Sequence, residues 1–351
     1  MKKALNLIIL IILALVLLFS ACDVTHDTPL VSESWNGFVI YYIDVGQADS
    51  ALVVCDGEAM LIDGGNAADS SLIYSFLQRH DIGHLEYIVA THAHEDHVGG
   101  LAGALNYATV SVALSPVTEY DSRAFGNFAK YLNEQGVAIT VPSPGDSFKL
   151  GSADVLILGP INSSSNTNNT SIVMMITYGT TRFLFTGDAE RDLERDIVDT
   201  WTDISATVLK VAHHGSETST TYPFLREVMP EYAVISCGSG NSYGHPHDDT
   251  MSRLRDAEVA VYRTDMQGII TCVSDGSTIS FTVERNEGAI TNSTLQSTPD
   301  EEAYYIGNIN SKKLHRPSCS GLPNESNRVI FNTYDEAIEA GYDPCGNCLR
   351  S

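Results

Sequence analysis

From Gly37 onward, apolar residues fall in short runs, each closed by a glycine or a polar turn. FVIYYIDVG (38–46), ALVVCDG (51–57) and AMLIDGG (59–65) are β-rich and predict a meander that opens a sheet. Residues 70–80, SSLIYSFLQRH, change to helical spacing. LEYIVAT (85–91) reads as a buried strand, Val98–Leu105 as the start of a helix, 109–114 as a strand and 122–135 as a helix. After Pro142-Ser143-Pro144-Gly145 the strand pattern returns in FKLGSADVLILGP, SIVMMITYG and RFLFTGD, followed by a helix over 189–200. TVLKVAHHG, YAVISCG and a group over 259–282 complete the series. Two runs of strands, each followed by helices, predict an α/β domain over 37–284, with two sheets face to face and helices outside. Residues 285–302 are polar, turn-rich and free of aromatics, as in a linker, and 303–351 form a separate C-terminal segment.

The first residues follow another pattern. Lys2 and Lys3 precede the apolar run Leu7–Phe19 and the small residues Ser20-Ala21, which predicts a secretory signal over 1–21. LFSAC resembles the lipobox of bacterial lipoproteins. The resemblance implies cleavage before Cys22, lipid on that cysteine, and a polar tether over 22–36. The chain would then be exported and anchored to the outer face of the bacterial cell membrane. An uncleaved membrane anchor over 4–21 is the alternative, and it also exports the remainder.

Charge narrows the partners. The chain of 351 residues carries a formal charge of −24, and loss of Lys2 and Lys3 leaves 18 basic against 44 acidic residues. Such a surface repels anionic lipid and nucleic acid at long range. Residues 303–351 are balanced, so the excess lies before them. Of the seven cysteines, Cys55, Cys237 and Cys272 sit in apolar runs, as core thiols do.

The densest chemistry is THAHEDHVGG (91–100), which places His92, His94, Asp96 and His97 within six positions. Imidazole and carboxylate are the usual ligands of divalent zinc, and burying several such groups without a partner costs too much. Between a strand and a helix, His92 and His94 can serve one metal while Asp96 and His97 serve its neighbour. Asp188 ends the strand RFLFTGD, where a carboxylate can bridge two cations. His213-His214-Gly215-Ser216 follows TVLKVA. A histidine there can ligate metal or protonate a leaving oxygen, and Gly215 and Ser216 suit an oxyanion. Tyr243-Gly244-His245-Pro246-His247 offers one more ligand, with His247 read as solvent-exposed.

DVGQADS (44–50), MLIDGG (60–65), THAHEDHVGG, NTSIV (169–173), FTGDAE (185–190), LKVAHHGSETS (209–219) and YGHP (243–246) resemble, in this order, the metallo-β-lactamase superfamily. Within it the likeness is to the extracellular hydrolase domain of bacterial competence DNA-uptake proteins. The resemblance implies an αββα sandwich with two divalent metals, zinc or manganese, on one edge between the sheets. It implies His92 and His94 on the first metal, Asp96 and His97 on the second, Asp188 bridging and His245 completing the second. Asp63 is implied to orient a ligand histidine. Two departures stand out. Asn169-Thr170-Ser171 replaces a histidine common in the superfamily, which leaves the first metal weakly held or filled by His213 or His214. Ala48 replaces the glycine of DVGQGDS.

In the C-terminal segment three residues separate His315 from Cys319 and two separate Cys345 from Cys348, with 25 residues between the pairs. A loop-rich unit of this size needs a staple, and paired ligands suit one structural tetrahedral zinc; a Cys345–Cys348 disulfide is the alternative. The segment resembles the zinc-binding module of Ada-type DNA-repair proteins. His315 stands at that family's methyl-accepting cysteine, which argues against methyl transfer. Lys312, Lys313 and Arg316 remain as a surface for DNA phosphate. Together the two resemblances imply a phosphodiester hydrolase of DNA or nucleotides. His213 or His214 would assist the leaving group, and Asp96, Asp188, Asn169 and Ser216 would line the site. The same chemistry on a small or cell-wall phosphodiester such as phosphocholine, and a non-catalytic DNA-binding lipoprotein, are the rivals.

Overall fold

The computed structural model describes residues 37–286 and, of the C-terminal segment, 304–316, 319, 321–331, 334–345 and 349. Cys22, the signal, the tether, all but the start of the linker, and Cys348 lie outside the described residues. Among the described residues no helix is long and apolar enough to cross a membrane. The chain divides into two compact units between Asn292 and Ser293.

The larger unit opens with β1 (Phe38–Tyr42), β2 (Ala51–Cys55) and β3 (Glu58–Ile62), an antiparallel meander in which Ile40 faces Val53 and Val53 faces Met60. β4 (His84–Val89), β5 (Thr109–Leu114) and β6 (Ile139–Thr140) follow in parallel. The second sheet repeats the plan. β7 (Ser147–Leu150), β8 (Ala153–Gly159), β9 (Val173–Tyr178) and β10 (Thr181–Phe185) are antiparallel; β11 (Val208–Lys210), β12 (Tyr232–Ile235) and β13 (Ala260–Arg263) continue in parallel from β10. The predicted closing group is split. β13 ends the second sheet, while β14 (Ile270–Ser274) and β15 (Ile279–Val283) return to the first and pair antiparallel beyond β1. Apolar content marks these runs as strands but carries no information about which distant edge they join.

Both faces of each sheet are covered, which is why the strands read as continuous apolar runs. Phe38, Ile40 and Tyr42 of β1 meet Phe183 and Phe185 of β10 in the layer between the sheets. Phe38 stacks on Phe183 at 4.8 Å and Tyr42 on Phe185 at 5.9 Å. The alternate residues Val39, Tyr41 and Ile43 pack under helices Ser70–Arg79 and Arg123–Glu134 through Ile73, Phe76 and Phe128. On the other sheet Leu184 and Leu209 pack under Leu193, Ile197 and Phe224 of helices Arg191–Thr200 and Tyr222–Val228. The result is an αββα sandwich. Sequence periodicity missed Tyr222–Val228 and Asp248–Asp256; the latter buries only Thr250 and Leu254, too few to mark a face.

The smaller unit is a four-stranded sheet of β16 (Tyr305–Asn308), β17 (Lys313–His315), β18 (Arg328–Phe331) and β19 (Asp343–Pro344) with helix Tyr334–Glu339. Its apolar cluster of buried residues is Leu314, Phe331, Ala337 and Tyr342. A core that small ordinarily needs a staple.

Close backbone approach sets the spacing of the helices beside the first sheet. A β-carbon at Gly103, in helix Leu101–Tyr107, would lie 1.9 Å from the Ser70 carbonyl oxygen. One at Gly126, in helix Arg123–Glu134, would meet nothing within 4 Å. Gly103→Ala is therefore expected to destabilise the fold by about 3 kcal/mol, and Gly126→Ala to stabilise it by about 0.5–1 kcal/mol. Denaturant titration of both checks this; equal effects would remove the close-packing argument.

Candidate metal centre

The chemistry collects where β3, β4, β10, β11 and β12 end. After β4 the chain bends through Thr91–His94 and then makes the helical turn Glu95–Val98, so His92 and His94 precede the turn while Asp96 and His97 ride on it. After β10, Gly187 takes φ 49° and the Asp188 amide donates to Ser171 Oγ at 3.0 Å. After β11, His213 and His214 stand in the left-handed region at φ 50° and 53°, and Asp63 after β3 does so at φ 58°. Non-glycine residues pay roughly 1 kcal/mol or more each for that conformation, and such strain gathers at functional sites.

Asp188 is the centre. Its Oδ1 lies 3.3 Å from His97 Nε2, and its Oδ2 lies 3.8 Å from the Nε2 atoms of His92, His213 and His214. Asp96 Oδ2 is 3.3 Å from His214 Nε2 and 4.0 Å from His97 Nε2. His92 Nε2 and His94 Nδ1 are 2.9 Å apart. His97 Nε2 and Asp188 Oδ1 are buried and have no hydrogen-bond partner among the described residues. Converging nitrogen and carboxylate donors with orphaned, mutually facing lone pairs fit divalent cations. His92–His97–Asp188, Asp96–His97–His214 and Asp49–Asp188–His214 each bring their ligand atoms within 4.8 Å of one another.

The imidazoles are held from behind. His97 Nδ1 meets Asp63 Oδ2 at 2.8 Å, and Asp63 in turn accepts from the Thr91 amide and hydroxyl at 2.8 and 2.7 Å. His214 Nδ1 lies 3.1 Å from both Ser236 O and Asp49 Oδ1. His213 Nδ1 lies 3.3 Å from Glu190 Oε1. An acceptor at Nδ1 keeps the proton there and leaves Nε2 able to bind metal. His245 is different, because its Nδ1 faces the Gln47 Nε2 amide, a donor, at 3.2 Å.

The electrostatics favour cations. Burial lowers His97 and His214, yet the surrounding carboxylates outweigh it: Asp188, Asp63 and Asp96 hold His97 well above its usual value, and Asp188 and Asp49 push His214 up to about 10. Burial would raise Asp96, but His97 and His214 bring it down to about 2. Burial holds His92 well below its usual value. The same carboxylates that favour positive charge on these imidazoles favour a divalent cation between them.

Of the residues nominated from sequence, His92, His94, Asp96, His97, Asp188, His213 and His214 converge, and Asp63 stands behind His97. His245 stands at their edge. Its ring lies 6.1 Å from that of His214, and His214 occupies the place beside Asp96. Asn169 Oδ1 accepts from the Glu190 amide at 2.9 Å, so it supports the carboxylate behind His213. Ser216 Oγ accepts from the Thr218 amide at 3.3 Å and closes its own turn. His247 is half-buried, not exposed, with both ring nitrogens bonded to backbone at Glu217 and Tyr243. Asp49 and Lys210 escaped sequence reading. Lys210 Nζ lies 2.9 and 2.8 Å from the Asp49 oxygens, both side chains fully enclosed. A lysine inside the apolar run TVLKVA was the available signal, since a buried ammonium must be paired. Cys55, Cys237 and Cys272 are buried free thiols.

In the smaller unit His315, Cys319 and Cys345 bring their ligand atoms within 4.8 Å, with His315 Nδ1 3.4 Å from Cys319 Sγ. The fourth nominated ligand, Cys348, lies outside the described residues. Lys312 lies over the Tyr342 ring and Lys313 pairs with Asp343 at 3.6 Å.

Residues 43–239 match the family model for the Metallo-beta-lactamase superfamily, and 294–350 match that for the metal binding domain of Ada. ComE operon protein 3 of Bacillus subtilis is 30% identical over 247 residues, 65% of this chain and 32% of that protein. Competence protein ComA of Neisseria gonorrhoeae is 28% identical over 250 residues, 70% of this chain and 33% of that protein. The chain thus spans about a third of the length of these curated relatives. The crystal structure of the metallo-beta-lactamase fold protein YhfI from Bacillus subtilis aligns with a TM-score of 0.47 at 14% identity, covering 68% of this chain and all of that one.

Breaking a buried ion pair by removing one partner costs about 3–5 kcal/mol. Lys210→Met is expected to destabilise the fold by about 3 kcal/mol, and Asp49→Asn with Lys210→Met by less than the two single losses added. Denaturant titration checks both, and additive losses would show that the pair is not coupled.

Proposed function

We propose, from the premise that the chain belongs to the metallo-beta-lactamase superfamily, that it is a metal-dependent phosphodiester hydrolase acting on DNA or a nucleotide. The observation that carries the reading is the pair of buried, unpartnered atoms His97 Nε2 and Asp188 Oδ1, enclosed by further imidazole and carboxylate donors. His92, His94 and His213 would hold one cation, Asp96, His97 and His214 the other, with Asp188 between them. Bound there, two such cations activate water and offset the charge of the phosphodiester oxygens.

The remaining side chains keep that constellation rigid. Asp63 fixes His97, Glu190 fixes His213, and Lys210 through Asp49 fixes His214. Both nitrogens of His214 are engaged, which leaves it no freedom to protonate a leaving group. Tyr243, 68% exposed, stacks on His245 at 5.7 Å and offers a face for a base or other flat group beside the site. Nucleic acid is supported by the competence names of the relatives and by the Ada-like C-terminal module. The formal charge of −24 supports a second reading, a small or cell-wall phosphodiester such as phosphocholine. The signal pattern supports export with a lipid anchor on Cys22.

Full-length protein loaded with Zn²⁺ or Mn²⁺ is to be assayed on linear DNA, cyclic dinucleotides and bis-p-nitrophenyl phosphate. Turnover is expected, and Asp188→Asn should lose bound metal and about 10³-fold or more in kcat/KM. Metal-loaded protein that turns over none of these would overturn the reading; cleavage of the small esters but not DNA would favour the second one. For the anchor, Cys22→Ser is expected to move the protein out of the membrane fraction or leave it unprocessed. Unchanged fractionation and size would rule out lipidation at Cys22.

A further inference from the structure

His245 stands beside the metal centre with a hydrogen-bonding pattern opposite to that of the histidines on Asp188. Its partner is Gln47, and the Gln47 amide has one possible orientation. Gln47 Oε1 accepts from the Gly238 backbone N–H at 3.0 Å, while Nε2 faces His245 Nδ1 at 3.2 Å. Reversing the amide would set its NH₂ against the Gly238 N–H, donor against donor. The two backbones are packed tightly enough to hold this arrangement, since a β-carbon at Gly238 would lie 2.7 Å from the Gln47 backbone nitrogen. An amide NH₂ has no lone pair to accept with, so His245 Nδ1 is the acceptor and the neutral ring carries its proton on Nε2.

A neutral imidazole in that tautomer has no free lone pair with which to bind a metal. Nδ1 is taken by Gln47 and Nε2 holds the proton. His97, His213 and His214 show the reverse, each with an acceptor at Nδ1. His245 is also fixed in place, because the Asn241 side chain accepts from its amide at 3.0 Å and donates to its carbonyl. The ring is half-buried and lies 5.6 Å from His213 and 6.1 Å from His214. Its Nε2 has no hydrogen bond to any described residue.

We infer that His245 is not a metal ligand but a neutral hydrogen-bond donor, and that its Nε2–H serves the leaving oxygen of the phosphodiester. The assignment rests on the phosphodiesterase reading and gives its site a catalytic residue. In the hydrolysis a water oxygen forms the new P–O bond and gives up a proton. The leaving oxygen departs with the electron pair of the broken P–O bond and takes up a proton. His245 stabilises the charge gathering on that oxygen and ends in the state in which it began. Such help matters most where the leaving group is a poor one, an alkoxide such as a sugar hydroxyl.

Three measurements on the full chain test this. Metal content of His245→Ala is expected to equal that of the unmodified protein; loss of one metal would make His245 a ligand and overturn the inference. Imidazole ¹⁵N–¹H NMR of the zinc-loaded protein is expected to show the His245 proton on Nε2, and a proton on Nδ1 would overturn it. In Gln47→Glu the carboxylate becomes an acceptor, and the proton is expected to move to Nδ1; a proton still on Nε2 there would show that Gln47 does not set the tautomer. In assays, His245→Ala should lose about 10²-fold on a dinucleotide diester and less than about tenfold on bis-p-nitrophenyl phosphate, whose leaving group needs no help. His245→Gln, which keeps an N–H donor, should recover part of the loss. Equal losses on both substrates would end the leaving-group role. If the unmodified protein hydrolyses neither ester, the phosphodiesterase reading fails, while metal content and NMR still decide whether His245 is a ligand.

Discussion

A histidine buried away from water has to place both ring nitrogens, and around Asp188 that requirement organises everything else. His97, His213 and His214 give Nδ1 to Asp63, Glu190 and Asp49, and so turn Nε2 toward one carboxylate. The supporting acids are anchored in their turn, by Thr91, Asn169 and Lys210. Remove a supporting acid and an imidazole can take the other tautomer, which offers a proton where a lone pair is needed. The metal centre is therefore a property of about two layers of side chains, and the outer layer decides what the inner one can bind.

The sandwich supplies the rigidity this demands. Both sheets bury both faces, and the parallel strands β4 and β10 to β12 end on the same side, so the loops carrying Asp188, the paired histidines and THAHEDH issue from fixed points. Left-handed backbone at Asp63, His213 and His214 is sustained by that frame. Gly64 and Gly100 let the turns after β3 and β4 touch: a β-carbon at Gly100 would lie 1.9 Å from the Gly64 oxygen, which fixes the distance between Asp63 and His97.

What could be read from sequence is what is local. THAHEDH packs four donors into six positions, so its chemistry is visible without the fold, and the meander and most helices follow from periodicity that short segments carry by themselves. Asp49 with Lys210 and Gln47 with His245 are pairings across 161 and 198 positions, and no spacing rule reaches that far. The same distance hid the return of β14 to β1. His245 shows the limit most clearly. Residue type and motif make it a candidate ligand, and only the partner at its Nδ1 separates a lone pair from a proton.

Charge adds a last constraint on what the site can accept. A phosphodiester approaching a chain of formal charge −24 needs positive charge near its oxygens, and Lys210, the lysine beside the centre, is already neutralised by Asp49. Arg285 likewise pairs with Asp44. Neutral donors such as His245 and the cations that the carboxylates call for are what remains to meet the substrate. A site built this way attracts phosphate at contact range, while the acidic surface around it repels phosphate out to about a Debye length, beyond which salt screens the charge. It favours a substrate delivered to it, or a small one that diffuses in, over one captured from solution by a basic surface.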